Sequence, residues 1–178
     1  MATMQLSNRS HHDHPDLTGE HPAGDMGQLI IAILFFVTWS MDVFYLRWTT
    51  FFNQYLPDVI RIIWGVVFCG GAGILARKGL VTVFGKPREI PTVIREGVFG
   101  IVRHPVYLSE ILLYIGLLGF NLSLIACGIL IGAIVFLHYI ARYEEKLLVA
   151  RFGDDYRRYM REVPMWIPRL RSGKTKRF

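Results

Sequence analysis

Apolar positions in this chain fall in long unbroken runs. They show neither the alternation of a half-buried strand nor the single stripe of a surface helix. A bilayer core about 30 Å thick is crossed by roughly 20 apolar residues in a helix. The pattern predicts four such crossings. The first covers about 28–48, with no charge from Leu29 to Trp39, and the second about 59–76. One apolar block from Val106 to Ala141 is too long for a single crossing and is notched at Gly119-Phe120-Asn121. It predicts a helical hairpin with arms of about 105–120 and 122–141. The first arm is short, so it either tilts little or leaves its Ser109-Glu110 end in the headgroup layer. The expected fold class is all-α: a polytopic integral membrane protein of about four transmembrane helices, the last two a hairpin.

The remaining segments set organisation and orientation. A length of 178 residues fits one domain, here 28–170, between a polar N-terminal tail (1–27) and a basic C-terminal tail (171–178). The N-terminal tail carries His11, His12, His14 and His21 among four acids. Metal binding is conceivable there, but nothing fixes ligand geometry, so a mobile solvated tail is expected and no metal site. It is too long and acidic for a signal peptide. Cys69 and Cys127 both lie in apolar runs and build no disulfide framework or zinc site. The net charge is +6, which allows nucleic acid or anionic lipid as partner. A tail tethered at a membrane favours lipid. Six Lys/Arg lie between Arg77 and Arg103 and eleven between Arg142 and Phe178, while the turn at Phe120-Asn121 has none. The positive-inside rule then puts both segments, and both termini, in the cytoplasm.

Small residues in the spans, Gly65, Gly70, Gly71, Gly73 and the pair Gly128 and Gly132, are expected to let helix backbones approach closely. Several polar residues need another account. Pro105 after Arg103-His104 marks the first turn of the third helix. There the basic pair either builds an anion site with the free N–H groups or snorkels to lipid phosphates. His138, Arg142 and Glu145 are spaced i, i+4, i+7 and share a face where the fourth helix leaves the apolar block. That face is either a site or an ordinary solvated exit. Two acids fall inside spans. Glu110 lies near the Arg103-His104 turn and is a candidate site residue. Asp42 lies at the far end and is expected to be structural, facing Arg47 or water.

These pieces occur in a specific order. Gly97-Val-Phe-Gly-Ile-Val-Arg-His-Pro-Val-Tyr107 precedes the hairpin. Arg142-Tyr-Glu-Glu145, Phe152-Gly-Asp-Asp-Tyr-Arg-Arg-Tyr159 and Val163-Pro-Met-Trp-Ile-Pro168 follow it. Over about residues 80–170 the chain resembles the isoprenylcysteine carboxyl methyltransferase family, within a wider group that includes phospholipid N-methyltransferases. One departure is that Gly97-Val98-Phe99-Gly100 stands where the family often has Gly-Pro-Tyr-Arg.

The resemblance implies an integral-membrane methyltransferase using S-adenosyl-L-methionine (SAM), with its active site at the cytoplasmic face. It implies a cofactor pocket of Arg103, His104, Pro105, Tyr107, Glu144 and Glu145, with Arg142 and Glu145 as the catalytic pair. Arg142, with His138 and Glu110 nearby, would serve the acceptor. The residue chemistry is compatible: a glutamate suits paired ribose hydroxyls, and tyrosine faces suit adenine or a sulfonium. The expected acceptor is lipophilic and enters from the bilayer, most simply an isoprenylcysteine-like carboxylate. Phosphatidylethanolamine, other lipids or thiols, and a non-enzymatic membrane scaffold are the alternatives.

Overall fold

The computed structural model describes residues 24–85 and 92–168. Those residues are all-helical, with no strand among them. Helix α1 (Gly24–Met41) runs on into a single π-helical turn, Asp42–Leu46, and stops at Arg47 in the left-handed region. A 3-10 turn (Phe51–Tyr55) leads to α2 (Asp58–Phe84). A second 3-10 turn (Gly97–Gly100) precedes α3 (Pro105–Phe120), α4 (Leu124–Phe152) and α5 (Asp154–Glu162). Three segments are long and apolar enough to span a membrane: Gly24–Leu46, Asp58–Phe84 and Leu124–Phe152. The protein is thus a polytopic, all-α membrane protein. With 16 residues, α3 is about 24 Å long at 1.5 Å per residue, a little short of the hydrocarbon thickness.

Local chemistry explains the helix ends. Pro105 occupies the first turn of α3, where its missing N–H costs nothing. Ser123 caps α4 by accepting the Ala126 N–H on its hydroxyl at 3.3 Å. Gly153, at φ 57°, is the one residue between α4 and α5, and glycine holds that conformation without a Cβ clash. Two helices outrun the expected spans. α2 continues eight residues past Ala76 and α4 eleven past Ala141. Charged side chains at a membrane boundary do not end a helix, because they reach outward while the backbone continues.

Lipid gives no hydrophobic drive between helices, so close packing must hold them. α2 and α3 meet through glycines. A Cβ on Gly116 would stand 2.5 Å from Cys69 Sγ and 2.8 Å from the Cys69 backbone nitrogen. A Cβ on Gly119 would meet the Trp64 indole, and one on Gly65 the Phe120 ring. The close-packing expectation fails for Gly70, Gly71, Gly73, Gly128 and Gly132, which have open space where a Cβ would go. They lie on faces that no other described element covers. α1, α3 and α4 share a core of Phe35, Tyr114, Leu118, Ala126 and Ala133, with the Phe35 and Tyr114 rings stacked at 4.3 Å.

Asp42 has the structural role expected of it, but its carboxylate is held by Trp48, Thr49 and Ser123 rather than by the Arg47 side chain. Only 1% exposed, its carboxylate accepts from the backbone N–H of Trp48 (3.0 Å) and Thr49 (3.1 Å) and from the hydroxyls of Thr49 (2.5 Å) and Ser123 (2.6 Å). It ties the end of α1 to the start of α4. The histidine-bearing part of the N-terminal tail and the 171–178 tail lie outside the described residues.

Candidate functional site

At the opposite end of the bundle from Asp42, the first turn of α3 faces the lower part of α4. Arg103 Nε donates to Glu145 Oε1 at 2.7 Å, and His104 Nε2 lies 3.2 Å from the same oxygen. His104 Nδ1 is 3.8 Å from Glu144 Oε2, so one imidazole bridges two carboxylates. The Tyr107 hydroxyl donates to Glu144 Oε1. The His104 and Tyr107 rings are parallel, with centroids 5.6 Å apart. One turn of helix separates His104 from Tyr107, which puts both rings on the face toward the adjacent glutamates.

Arg103 does more than pair with Glu145. Its Nη1 donates to the carbonyls of Met160 (3.0 Å) and Val163 (2.6 Å), and its backbone N–H to Pro164 (3.0 Å). It therefore latches the chain after α5 onto the start of α3. Its side chain is only 8% exposed. Its Nε and Nη1 are thus engaged within the protein, while Arg103 and His104 both still line the cavity described below.

Beyond this latch, Trp166 Nε1 donates to His138 Nδ1 at 3.1 Å, and its ring lies 5.9 Å from that of His104. Tyr156 and Tyr159 of α5, with Val163 just after it, pack against Leu148, Val149, Phe152 and Val93. The Tyr159 hydroxyl donates to the Phe99 carbonyl at 2.7 Å, so the Gly97–Gly100 turn is held through its backbone. Burial, as the largest cause, pushes both phenols above the usual tyrosine range, and the Glu145 charge raises them further. Both phenols stay neutral at physiological pH.

A cavity of about 390 Å³ opens beside the cluster, within the range of small-molecule sites. Arg103, His104, Pro105, Tyr107 and Glu144 form its polar side. Leu80, Val83 and Phe84 of α2, Val93, Ile94 and Phe99 of the connector, and Leu148 and Phe152 of α4 form its apolar side. Tyr156 and Tyr159 line it from α5, and Asp25 and Gln28 from α1. The second oxygen of Glu145 is buried with no hydrogen-bond partner, so the cluster is one donor short. With Arg103 set against Glu144 and Glu145, fixed charges leave an excess of one negative. That excess suits a ligand bearing a cation or hydroxyls.

Five of the expected cofactor residues thus line one cavity, and the sixth, Glu145, sits directly behind His104. Arg142, His138 and Glu110 are not among the described residues that line it. Arg142 is exposed on α4, and His138 is turned to Trp166. Glu110 accepts from the Tyr114 hydroxyl at 2.5 Å, deeper along α3. Trp166, Tyr156, Tyr159, Asp25 and Gln28 had no expected role. The aromatic residues belong to motifs quoted above, and they reach the site through the α4–α5 junction at Gly153 and the Arg103 latch on the chain after α5. No group of three or more His, Cys, Asp or Glu among the described residues has metal-binding geometry. No family model matches this chain, and no curated protein matches it at a significant level.

Proposed function

We propose that this chain is a SAM-dependent methyltransferase acting on a lipophilic acceptor, most simply by O-methylating an isoprenylcysteine-like carboxylate. The observation that carries the reading is the Tyr107–Glu144 and His104–Glu145 pairing beside a largely apolar cavity whose wall holds the Glu144 carboxylate. SAM fits that chemistry: it brings a sulfonium cation, an ammonium and two ribose hydroxyls to a site with an excess of carboxylate. Glu144, His104 and Tyr107 would hold it, with Arg103 and Glu145 bracing them from behind. When bound, SAM supplies an electrophilic methyl group to a nucleophile placed in line with it.

The protein's own contribution is alignment and dryness. Tyr107 fixes the Glu144 carboxylate, and the Arg103 latch holds α5 and its two tyrosines over the cavity. The apolar wall from α2 and the connector excludes water. A carboxylate acceptor is already ionised at neutral pH and needs no base. Arg142, exposed at the same end of α4, would bind it outside the cavity rather than inside. The Lys/Arg asymmetry supports placing this end, and both termini, in the cytoplasm.

A second reading, N-methylation of an amine lipid such as phosphatidylethanolamine, is favoured by the carboxylate excess, to which Asp25 adds. The test is a radiolabelled-methyl assay on a prenylcysteine analogue and on phosphatidylethanolamine, with wild type and Arg142→Ala. Base-labile product lost in Arg142→Ala supports the carboxyl reading. Base-stable product that survives Arg142→Ala supports the amine. No transfer and no S-adenosylhomocysteine binding by folded protein leaves a membrane scaffold.

A further inference from the structure

We infer that a second cavity, at the Asp42 end of the bundle, binds the phosphate of a lipid headgroup. It measures about 520 Å³ and lies between the end of α1, the 50–57 connection, the start of α2 and the α3–α4 turn. It shares no lining residue with the cavity beside Glu144.

The donors at this cavity are the first argument. Asn53 is spent on both the N–H and the carbonyl of Leu122, and Asn121 Oδ1 on Arg61. Among the described residues, Arg47, Thr50 and Gln54 line the cavity with no side-chain partner, and all three offer donors. Arg61 also lines the cavity, where its guanidinium donates to the Phe120 carbonyl, to Asn121 and to Asp58. Two arginines stand against the single carboxylate of Asp58. The site therefore lacks an acceptor of negative charge with several oxygens, and guanidinium groups match phosphate in geometry as well as charge.

Backbone strain points the same way. Arg47 has φ 53° and is the only non-glycine residue with positive φ among those described. Glycine or asparagine would take that conformation more easily, yet the position holds an arginine whose side chain lines the cavity. Depth then selects the source of the phosphate. Tyr45, Trp48 and Tyr55 beside the cavity are each more than two-thirds exposed. Exposed tyrosine and tryptophan at a helix end mark the headgroup layer, where the abundant anion is a phosphodiester.

The full chain, delipidated in neutral detergent, is titrated with dihexanoyl phosphatidylglycerol while its thermal midpoint is followed. Matched titrations use inorganic phosphate and the corresponding diacylglycerol at constant ionic strength. The expected result is a saturable rise in midpoint with the phospholipid alone. Arg47→Gln should weaken the apparent affinity about tenfold or more, as for a lost charge-assisted contact. Asp58→Asn should strengthen it, because that carboxylate competes for Arg61. Arg47→Gly should raise the midpoint without lipid and abolish the response. Arg47 is exposed, so its variants keep the test open where Arg61 variants fail to fold. An equal response to diacylglycerol, an unchanged response in Arg47→Gln, or no response in wild type overturns the site. A response as large with inorganic phosphate overturns the lipid assignment.

Discussion

Arg103 and Glu145 form a buried ion pair, Nε to Oε1 at 2.7 Å, with side chains 8% and 3% exposed. It joins the first turn of α3 to α4. Because the same guanidinium also bonds the Met160 and Val163 carbonyls, it joins both helices to the chain after α5. His104 shares the carboxylate oxygen. Arg103 itself lines the cavity, while Glu145 stands behind it and fixes the arginine and His104 in place.

Removing either partner alone should be costly. A buried charge left without its counter-ion typically costs about 3–5 kcal/mol, whereas replacing both partners with apolar groups costs less than the sum. Arg103→Met and Glu145→Leu should each destabilise strongly, and the double variant should be more stable than additivity predicts. Reversible unfolding in mixed detergent micelles measures the coupling. Additive effects would show that the latch to Met160 and Val163, not the ion pair, carries the stability.

The glycines divide by location. Gly116→Ala should separate α2 from α3, because the new Cβ meets the Cys69 backbone as well as its side chain. Backbone cannot be moved as cheaply as a flexible side chain, so a loss of about 1–3 kcal/mol is expected. Gly128→Ala and Gly132→Ala meet nothing and should be neutral or slightly stabilising, since alanine is the better helix former. The same unfolding measurement, run on all three variants, separates the two groups.

What the sequence pattern could reveal follows from which signals are local. The α3 boundaries were legible to the residue, because Pro105 and the Gly119–Asn121 notch are backbone signals. The end of α2 was not, since Arg77 and Lys78 read as the edge of a span while the helix runs on to Phe84. Composition marks a glycine as small but not which way it faces, so Gly128 and Gly132 looked like packing residues. The meeting of Arg103, His104 and Tyr107 with Glu144 and Glu145 was implied by the family resemblance rather than by local signals, and the hairpin that returns the chain to the same end is its physical basis. Trp166 and Asp25 were not, because they reach the site through the latch after α5 and through the placement of α1.

Alkaline pH should weaken the fold through Tyr156. Burial raises its folded pKa above the ordinary value of 10.0. Above that value the unfolded chain loses the phenolic proton while the folded chain keeps it. The unfolded state then binds fewer protons, so stability is fully present below pH 10 and falls as pH rises further. One such group accounts for up to about 1.4 kcal/mol per pH unit. The stability difference between wild type and Tyr156→Phe should be constant to about pH 9 and shrink above pH 10. A difference that stays flat to pH 11 would refute the assignment.

Tyr107 and Asp42 sit at opposite ends of the bundle, and their variants should fail in opposite ways. Tyr107→Phe removes the hydroxyl that holds Glu144 on the cavity wall. If that carboxylate contacts the cofactor, S-adenosylhomocysteine should bind about tenfold more weakly, the equivalent of one hydrogen bond to a charged group. Thermal stability should change little, because Glu144 lines the cavity and keeps access to solvent. Asp42→Ala removes the acceptor for two backbone N–H groups and two hydroxyls. Buried donors left unpaired cost about 1–3 kcal/mol each, reduced where a hydroxyl can rotate to another acceptor. A large fall in unfolding stability is expected, with affinity per folded molecule unchanged. Calorimetry and unfolding on the same preparations separate the two effects. Wild-type affinity in Tyr107→Phe would remove Glu144 from the cofactor contacts. Weakened binding in folded Asp42→Ala would mean that the two ends of the bundle are coupled.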